Sequence, residues 1–215
     1  MPIKRQNETN EEFYARAGMS GRVGFGVKPA VLVIDEQKAM TDPACGLGSS
    51  LDEMVENSVA VISAANRRGI PVIYTVAAYK PDGSDAGVFA MKVPALKEAT
   101  IGSKWAELDD RIPYRADRDY LFVKKQQSGF FGTPVLSVLK YHAADTVVVM
   151  GCSTSGCVRA TVKDGVDYGY RMIIPRECVG DRLKEAHDMN LFEMNGKLGD
   201  VISAQEVLDY FESIV

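Results

Sequence analysis

The amino-acid sequence predicts an α/β fold: a doubly wound, mostly parallel sheet of about six strands with helices on both faces. Short apolar runs with the length of buried strands alternate along the chain with longer segments of helical periodicity. Because most of these runs are apolar on both faces and are followed by helical segments, they suit a parallel sheet that is covered on both sides. The expected strands are residues 30–35, 71–76, 120–124, 146–150, 170–175 and 200–203.

Helical segments fill the gaps between these runs, and capping signals indicate where two of them begin. Ser50 and Glu53 have the spacing of a capping box and predict a helix that ends at Gly69. The same spacing in Ser203 and Glu206 predicts the start of the last helix. Two further helices are expected, one after Thr133-Pro134 and one from Cys157 to about Tyr168.

The chain is expected to form one domain over residues 21–215, preceded by an N-terminal arm over residues 1–20. The arm has weak periodicity, which makes it a candidate oligomer contact. Residues 79–98 form a segment that contains Gly and Asp and lies between two predicted strands, and its composition suits a lid.

Charge and hydropathy exclude several classes of partner. The chain carries 25 basic and 29 acidic residues with no long run of either sign, so neither nucleic acid nor an anionic membrane is expected to bind. No apolar run has the length of a transmembrane helix, and the polar N-terminus lacks the core of a signal peptide. We therefore expect a cytoplasmic protein whose partner is a small molecule.

The most informative segment is 145–161, where an apolar strand runs into a turn of small residues and then into a helix that carries Cys157 in its first turn. Small side chains let a substrate carbonyl approach the backbone amides at the helix N-terminus, which can stabilise an oxyanion. The same N-terminus is expected to lower the pKa of the Cys157 thiol below its free value of about 8.5. The alternative is that Cys157 is a small hydrophobic core residue.

Two further reactive residues end predicted strands. Ligands of a doubly wound sheet bind outside the carboxyl ends of the strands, where Asp35 ends the first run and Lys124 the third. A carboxylate beside a thiol can take its proton and return it to a leaving amine, and an ammonium can balance the charge. Strand alternation favours Lys124 over Lys125 for this role. Taken singly, Asp35 also fits a cap and either lysine a solvated strand end.

The supply of metal ligands is small. His142 and His187 are the two histidines, and neither ends a predicted strand, which disfavours a Cys–His pair. The four cysteines are irregularly spaced, and no His-rich cluster follows a strand, so neither a disulfide framework nor a catalytic metal is expected. We expect no cofactor.

Four segments together resemble the isochorismatase-like cysteine hydrolases, and within them most closely the N-carbamoylsarcosine amidase and maleamate amidase branch. The resemblance covers residues 22–211, nearly the whole chain. It is carried by residues 22–35, 124–133, 153–161 and 174–182, which are specific in combination. The resemblance identifies residues 21–215 as an isochorismatase-like hydrolase domain and implies a homodimer or homotetramer in which the arm takes part.

The resemblance also implies roles for individual residues. Asp35 corresponds to the general base, Lys124 to its charge partner and Cys157 to the nucleophile. The backbone amides of Ser153 and Cys157 correspond to the oxyanion hole. The family further carries a non-proline cis peptide in this turn, which here is expected between Cys152 and Ser153.

Substrate recognition is assigned to Arg182 and Thr154. In the amidases that this segment resembles, the arginine matching Arg182 binds the carboxylate of a small acidic substrate. A planar guanidinium group suits this bidentate contact. The alternative is a surface salt bridge with Asp181 or Glu185. Glu36 departs from the family pattern, and either places a second carboxylate near Asp35 or turns into solvent.

The sequence thus predicts a metal-independent cysteine amidohydrolase that cleaves a small carboxylate-bearing amide or N-carbamoyl compound and releases ammonia, similar to N-carbamoylsarcosine amidase. Maleamate amidase is the alternative within this class. Two alternatives come from other classes: a redox-sensing module in which Cys152 and Cys157 pair reversibly, and a catalytically silent binding domain of the same fold.

Overall fold

A computed structural model describes residues 3–214 as a seven-stranded sheet flanked by helices. The strands are β1 Pro29–Ile34, β2 Val72–Ala77, β3 Tyr120–Lys124, β4 Thr146–Cys152, β5 Arg171–Pro175, β6 Val179–Gly180 and β7 Asp200–Ile202. Their order is β3-β2-β1-β4-β5-β7, with β6 beside β4, and each of these described pairs is parallel. The predicted fold class is confirmed. The unforeseen strand is β6, whose two residues are too short to show a period.

The helices occupy the connections between the strands. They are α1 Asn10–Arg16, α2 Lys38–Thr41, α3 Asp52–Arg67, α4 Gly87–Lys92, α5 Val135–Tyr141, α6 Arg159–Asp167, α7 Lys184–Lys197 and α8 Ala204–Ser213. The capping box of Ser203 and Glu206 forms as predicted. Within residues 3–214, none of the helices has both the length and the apolar character that a membrane span requires.

The capping box predicted for Ser50 and Glu53 is wrong. Helix α3 begins one residue later than that pattern requires, with Leu51 in the N-cap position and no side-chain cap. Leu51 packs against the hydrophobic core, which decides where the helix starts and leaves Ser50 outside it. Tertiary packing therefore overrides the local signal.

The sheet separates two hydrophobic cores. Strand β1 contributes Val31 and Val33 to the core that it shares with α3 and α8. Its alternate residues, Leu32 and Ile34, belong to the core shared with α5, α6 and α7. This two-sided burial explains why β1 reads as a continuous apolar run rather than as an alternating one.

The first residues of the chain include a helix that the sequence pattern did not predict. Thr9 and Glu12 form a capping box at the start of α1. Tyr14 on this helix is buried against α7, where its hydroxyl donates to Glu193 and its ring fills the space beside Gly196. The segment therefore folds against the sheet's helical layer, while the domain boundary at residue 21 stays a prediction.

The strand order reverses between β1 and β4, and the candidate site lies at the carboxyl ends of these strands. A Cβ atom on Gly151 would lie 2.0 Å from the carbonyl oxygen of Ile34, and Gly151 has φ of 108°. Only glycine allows so close an approach at this conformation. The tight contact brings the end of β4, which leads to Cys157, beside the end of β1, which leads to Asp35.

Candidate active site

The carboxylate of Asp35 lies in the protein interior next to an ammonium group. Its Oδ2 atom is 2.7 Å from Nζ of Lys124, and both side chains are fully shielded from solvent. Its Oδ1 atom accepts a hydrogen bond of 3.0 Å from the hydroxyl of Thr75 on β2. The strand between β1 and β3 thus supplies a second anchor, which the sequence pattern did not single out.

Lys124 connects Asp35 to Cys157. Its Nζ atom lies 3.3 Å from Sγ of Cys157 and donates a hydrogen bond of 2.9 Å to the carbonyl oxygen of Gln126. Lys125 turns to the other side of the strand end, is about one-third exposed and pairs with Asp85 at 2.7 Å. The structure therefore brings together the three residues that the sequence placed at strand ends, and it distinguishes the two lysines as alternation predicted.

The protonation state of this cluster differs from the expectation. Burial raises the pKa of the Cys157 thiol to about 12, an effect that Lys124 opposes and Asp35 reinforces. Burial acts to lower the pKa of Lys124, but the charges of Asp35 and Cys157 outweigh it and the net shift is upward. The expected lowering of the thiol pKa is therefore wrong, because desolvation disfavours the thiolate more than the turn favours it. At neutral pH the Cys157 thiol is therefore neutral, and the Lys124 ammonium lies against the carboxyl group of Asp35.

The turn that carries Cys157 has the cis peptide between Cys152 and Ser153 that the family resemblance implies. The amides of Gly156 and Val158 both donate to the carbonyl oxygen of Ser153, at 3.0 and 3.2 Å. Cys157 lies in a single π turn, Thr154–Val158, that precedes α6 rather than in the first α turn. Such π turns in helices are frequent at functional sites.

Two side chains from the segment around α7 hold the outside of this turn. The hydroxyl of Thr154 lies 2.9 Å from Nδ1 of His187, and Thr154 is fully buried. The amide of Ser155 donates to Oδ2 of Asp181 at 2.7 Å. Burial lowers the pKa of His187, which favours the neutral ring. No periodic pattern in the sequence indicates either contact, because each joins elements that meet only after folding.

Arg182 lies at the mouth of a cleft of about 590 Å³ that also contains His187. Its Nε and Nη2 atoms donate to the carbonyl oxygen of Leu47, and Nη2 lies 3.3 Å from the sulfur of Met40. Within residues 3–214 it forms no ion pair with Asp181 or Glu185, so the surface salt bridge considered as its alternative is absent there. Arg182 and Ser153 both line a crevice that is too narrow for a water molecule.

The four cysteines are free and buried. The thiol of Cys152 donates to the carbonyl oxygen of Asp35 at 3.2 Å and belongs to the core on the α3 side, whereas Cys157 belongs to the other core. The redox alternative, which requires these two thiols to pair, receives no support from this arrangement. Among residues 3–214, no three His, Cys, Asp or Glu side chains are grouped so that they could hold a metal ion.

Glu36 does not turn into solvent. It is fully buried, and neither of its carboxyl oxygens has a hydrogen-bond partner among the described residues. Burial raises the pKa of Glu36 from its ordinary 4.5 to about 8, an effect that the nearby Ser58 hydroxyl only partly offsets. At neutral pH the side chain is therefore a neutral acid on the side of the sheet that contacts α3.

This burial predicts a pH-dependent stability. Between the ordinary pKa of 4.5 and the raised value of about 8, the folded state binds a proton that the unfolded state does not. Stability from this group is therefore present at acidic pH and is lost as pH rises, by up to about 1.4 kcal/mol per pH unit. Glu36→Gln should remove this slope and be more stable than the wild type at pH 8. Urea unfolding across this range measures the difference.

The control for this prediction is Glu56→Gln, which changes an exposed carboxylate on α3. It should leave the slope of stability against pH unchanged. A Glu36→Gln protein that keeps the wild-type slope would contradict the assignment of a buried, neutral Glu36.

Comparison with protein families gives the site its context. The isochorismatase domain matches residues 29–206 of this chain. The chain belongs to the isochorismatase family. This family's domain contains both strand ends and the turn described above, and the resemblance found in the sequence is confirmed.

Curated relatives cover almost the full chain. This chain is 36% identical over 189 residues to maleamate amidohydrolase of Pseudomonas putida. The aligned region covers 87% of this chain and 88% of the relative. It is 35% identical over 213 residues to N-carbamoylsarcosine amidase of an Arthrobacter species, covering 96% of this chain and 80% of the relative. The chain is an isochorismatase-family amidohydrolase, as the sequence predicted.

Solved structures agree with this fold. A cysteine hydrolase from Pseudomonas syringae pv. phaseolicola superposes with a TM-score of 0.83 over 88% of this chain and 94% of that one, and its 24% identity supports the fold alone. N-carbamoylsarcosine amidase from Thermoplasma acidophilum superposes with a TM-score of 0.69 at 26% identity, covering 82% of this chain and 96% of that one.

Proposed function

We propose that this protein is a metal-independent cysteine amidohydrolase that releases ammonia from a small carboxylate-bearing amide or N-carbamoyl compound. The observation that carries the proposal is the buried cluster of Asp35, Lys124 and Cys157, with contacts of 2.7 and 3.3 Å from the ammonium to the carboxylate and the thiol. Nucleophile, base and charge partner are all side chains of this cluster.

The cluster suits proton transfer from the thiol to Asp35. Before transfer, the carboxylate and the Lys124 ammonium balance each other; after transfer, the Cys157 thiolate and the same ammonium do so. The proton therefore moves without creating a net charge in a site that is shielded from bulk solvent, which keeps the desolvation cost small. A thiol whose pKa is raised by burial becomes a nucleophile when a substrate carbonyl is in place to receive its electrons.

In the first half of the reaction, Cys157 Sγ forms a bond to the amide carbon and its proton passes to Asp35. The carbonyl oxygen becomes an oxyanion that the backbone amides of Ser153 and Cys157 stabilise. Asp35 then gives its proton to the nitrogen, the carbon–nitrogen bond breaks, and ammonia leaves. The acyl group remains on Cys157 as a thioester, or as a thiocarbamate for an N-carbamoyl substrate.

Water completes the turnover. Asp35 takes a proton from a water molecule, whose oxygen attacks the acyl carbon through a second oxyanion. The carbon–sulfur bond breaks and the proton returns to Cys157. One water is consumed for each ammonia released, and a carbamate product then loses carbon dioxide.

Arg182 supports a substrate with a carboxylate. Its guanidinium stands at the cleft beside the turn of Ser153, where it can pair with an acidic group while the amide lies near Cys157. N-carbamoylsarcosine is the candidate substrate, and maleamate is the alternative. Both are retained because the two relatives that carry these substrate names are nearly equally similar to this chain. Thr154 lines the same turn and is proposed to contact the substrate.

The proposal is tested by measuring ammonia release from N-carbamoylsarcosine and from maleamate, each beside its neutral methyl ester. Turnover of an acidic amide, with carbon dioxide also released from N-carbamoylsarcosine, is the expected result. Equal rates for acids and esters would contradict the assigned substrate class. Absence of ammonia from a panel of small amides would contradict the reaction class.

Replacement of Arg182 tests the substrate contact. Arg182→Ala should lose about 1.5–3 kcal/mol of transition-state binding for the acidic substrate, the scale of a charge-assisted hydrogen bond, and Arg182→Lys should recover part of it. The methyl ester should be little affected, because it lacks the group that Arg182 binds. The measurement is kcat/KM for both substrates with each protein. If the free-energy costs of replacing Arg182 and of esterifying the substrate carboxylate add within about 0.5 kcal/mol, Arg182 and the carboxylate do not interact.

The family resemblance also leads us to propose a homodimer or homotetramer. Light scattering of the purified protein measures its mass directly. A monomer at micromolar concentration would contradict this part of the proposal.

A further inference from the structure

Asp181 joins the two parts of the site that the proposed function uses. Its Oδ2 atom accepts a hydrogen bond of 2.7 Å from the amide of Ser155, inside the turn that carries Cys157. Its Oδ1 atom accepts one of 2.8 Å from the amide of Arg182. A single carboxylate therefore connects the nucleophile's turn to the backbone of the arginine at the cleft.

The turn has other supports that do not depend on Asp181. The carbonyl oxygen of Ser153 accepts two amides of the turn, and the hydroxyl of Thr161 donates to the carbonyl oxygen of Cys157 at 2.7 Å. His187 contacts the hydroxyl of Thr154. Removal of the Asp181 carboxylate should therefore leave Cys157 in place.

Arg182 has fewer supports near the turn. Its guanidinium is held by the carbonyl oxygen of Leu47, on a loop that follows α2. Arg182 is an exposed residue, and its backbone follows the two-residue strand β6. Among the contacts described for residues 3–214, the carboxylate of Asp181 is the one side chain that bonds both the amide of Arg182 and the turn of Cys157.

We propose that Asp181 is a specificity-determining positioning residue: it sets the distance between the Arg182 guanidinium and the Cys157 thiol, and so selects acidic amides whose length fits that distance. This inference rests on the proposed function, since it requires Arg182 to bind a substrate carboxylate. Asp181 itself contacts neither the reacting carbon nor the leaving nitrogen. Its carboxylate is directed to two backbone amides, and charge-assisted bonds of this kind hold geometry well.

The test compares Asp181→Ala and Asp181→Asn with the wild type on the preferred acidic amide and on its methyl ester. Asp181→Ala should lower kcat/KM for the acid about tenfold to a hundredfold, mainly through KM, because a small misplacement of a binding group has a cost of this size. The ester should change less than about threefold. Asp181→Asn keeps one acceptor oxygen, so its kcat/KM for the acid should lie between those of the wild type and Asp181→Ala. Alkylation of Cys157 by iodoacetamide should proceed at the wild-type rate in both variants.

The matched control is Asp188→Asn, which changes an exposed aspartate that pairs with Lys184 on α7. It should leave both substrates unaffected. If Asp181→Ala lowers turnover of acid and ester equally and slows alkylation of Cys157, Asp181 merely supports the turn and the proposal is overturned.

A double variant separates this inference from the proposed function. If Arg182→Ala abolishes the preference for acids, and Asp181→Ala has no further selective effect in that background, the coupling is supported. If Arg182→Ala abolishes the preference for acids but the Asp181→Ala single variant keeps the wild-type preference, the positioning role fails and the substrate class stands. A wild type without any preference for acids overturns both.

Discussion

Cys157→Ala is expected to reduce ammonia release by about 10⁴-fold or more, the scale seen when a member of a cooperating catalytic group is removed. Without the sulfur, no thioester can form, and the buried Lys124–Asp35 pair has no nucleophile to activate. Cys157→Ser should be nearly as inactive, because a hydroxyl loses its proton much less readily than a thiol. Asp35→Asn should have a similar effect, since an amide cannot accept the thiol proton.

These losses should not add. A Cys157→Ala, Asp35→Asn double variant should be about as inactive as either single variant, because the two residues act in one step. Steady-state ammonia release from the acidic amide that the wild type turns over is the measurement. Cys178→Ala is the matched control: it removes another buried thiol that lies outside the cluster, and should retain turnover. Substantial ammonia release by Cys157→Ala would contradict the proposed mechanism.

The position of the cluster was predictable because one topological rule governs it. Parallel strands present their carboxyl ends at one edge, so Asp35 and Lys124 were expected to meet although 89 positions separate them in the sequence. Strand alternation sufficed to choose between Lys124 and Lys125. Strand β1, which leads to Asp35, is buried along its whole length, whereas β3 exposes alternate residues before the buried Lys124.

The electrostatics of the cluster could not be predicted in the same way. The turn around Cys157 indicates a helix N-terminus, which favours a thiolate, but the pattern carries no measure of how deeply the sulfur is buried. In the structure Cys157 is 7% exposed, and burial reverses the direction of the pKa shift. Burial of Glu36 was equally hidden, since a carboxylate after a strand is usually solvated.

Contacts between segments that are distant in the sequence could not be predicted either. His187 lies 33 positions from Thr154, and Asp181 lies 26 positions from Ser155. Neither pair has a sequence signal, because both depend on how residues 181–187, at the start of α7, pack against the turn. The sequence presents Asp181 as a salt-bridge partner for Arg182, whereas in the structure its carboxylate accepts a hydrogen bond from the amide of Ser155 in the nucleophile's turn.

Lys124→Met is expected to destabilise the protein by about 3–5 kcal/mol, the cost of leaving one partner of a buried ion pair without the other. Methionine has a similar volume, so loss of packing contributes little. The carboxylate of Asp35 would retain the hydroxyl of Thr75 but lose the ammonium 2.7 Å away. Urea unfolding of the variant and the wild type measures this loss.

A second substitution shows whether the pair is the cause. Asp35→Asn added to Lys124→Met leaves no charge in the cluster and should recover a large part of the lost stability, although it restores no activity. Lys163→Met is the control, because it removes a lysine from an exposed pair with Asp167 and should cost less than about 1 kcal/mol. If the double variant is as unstable as the sum of its two single changes, Asp35 and Lys124 are not coupled. The charge balance that permits proton transfer to Asp35 would then lose its physical basis, since that balance requires the two groups to be ionised together.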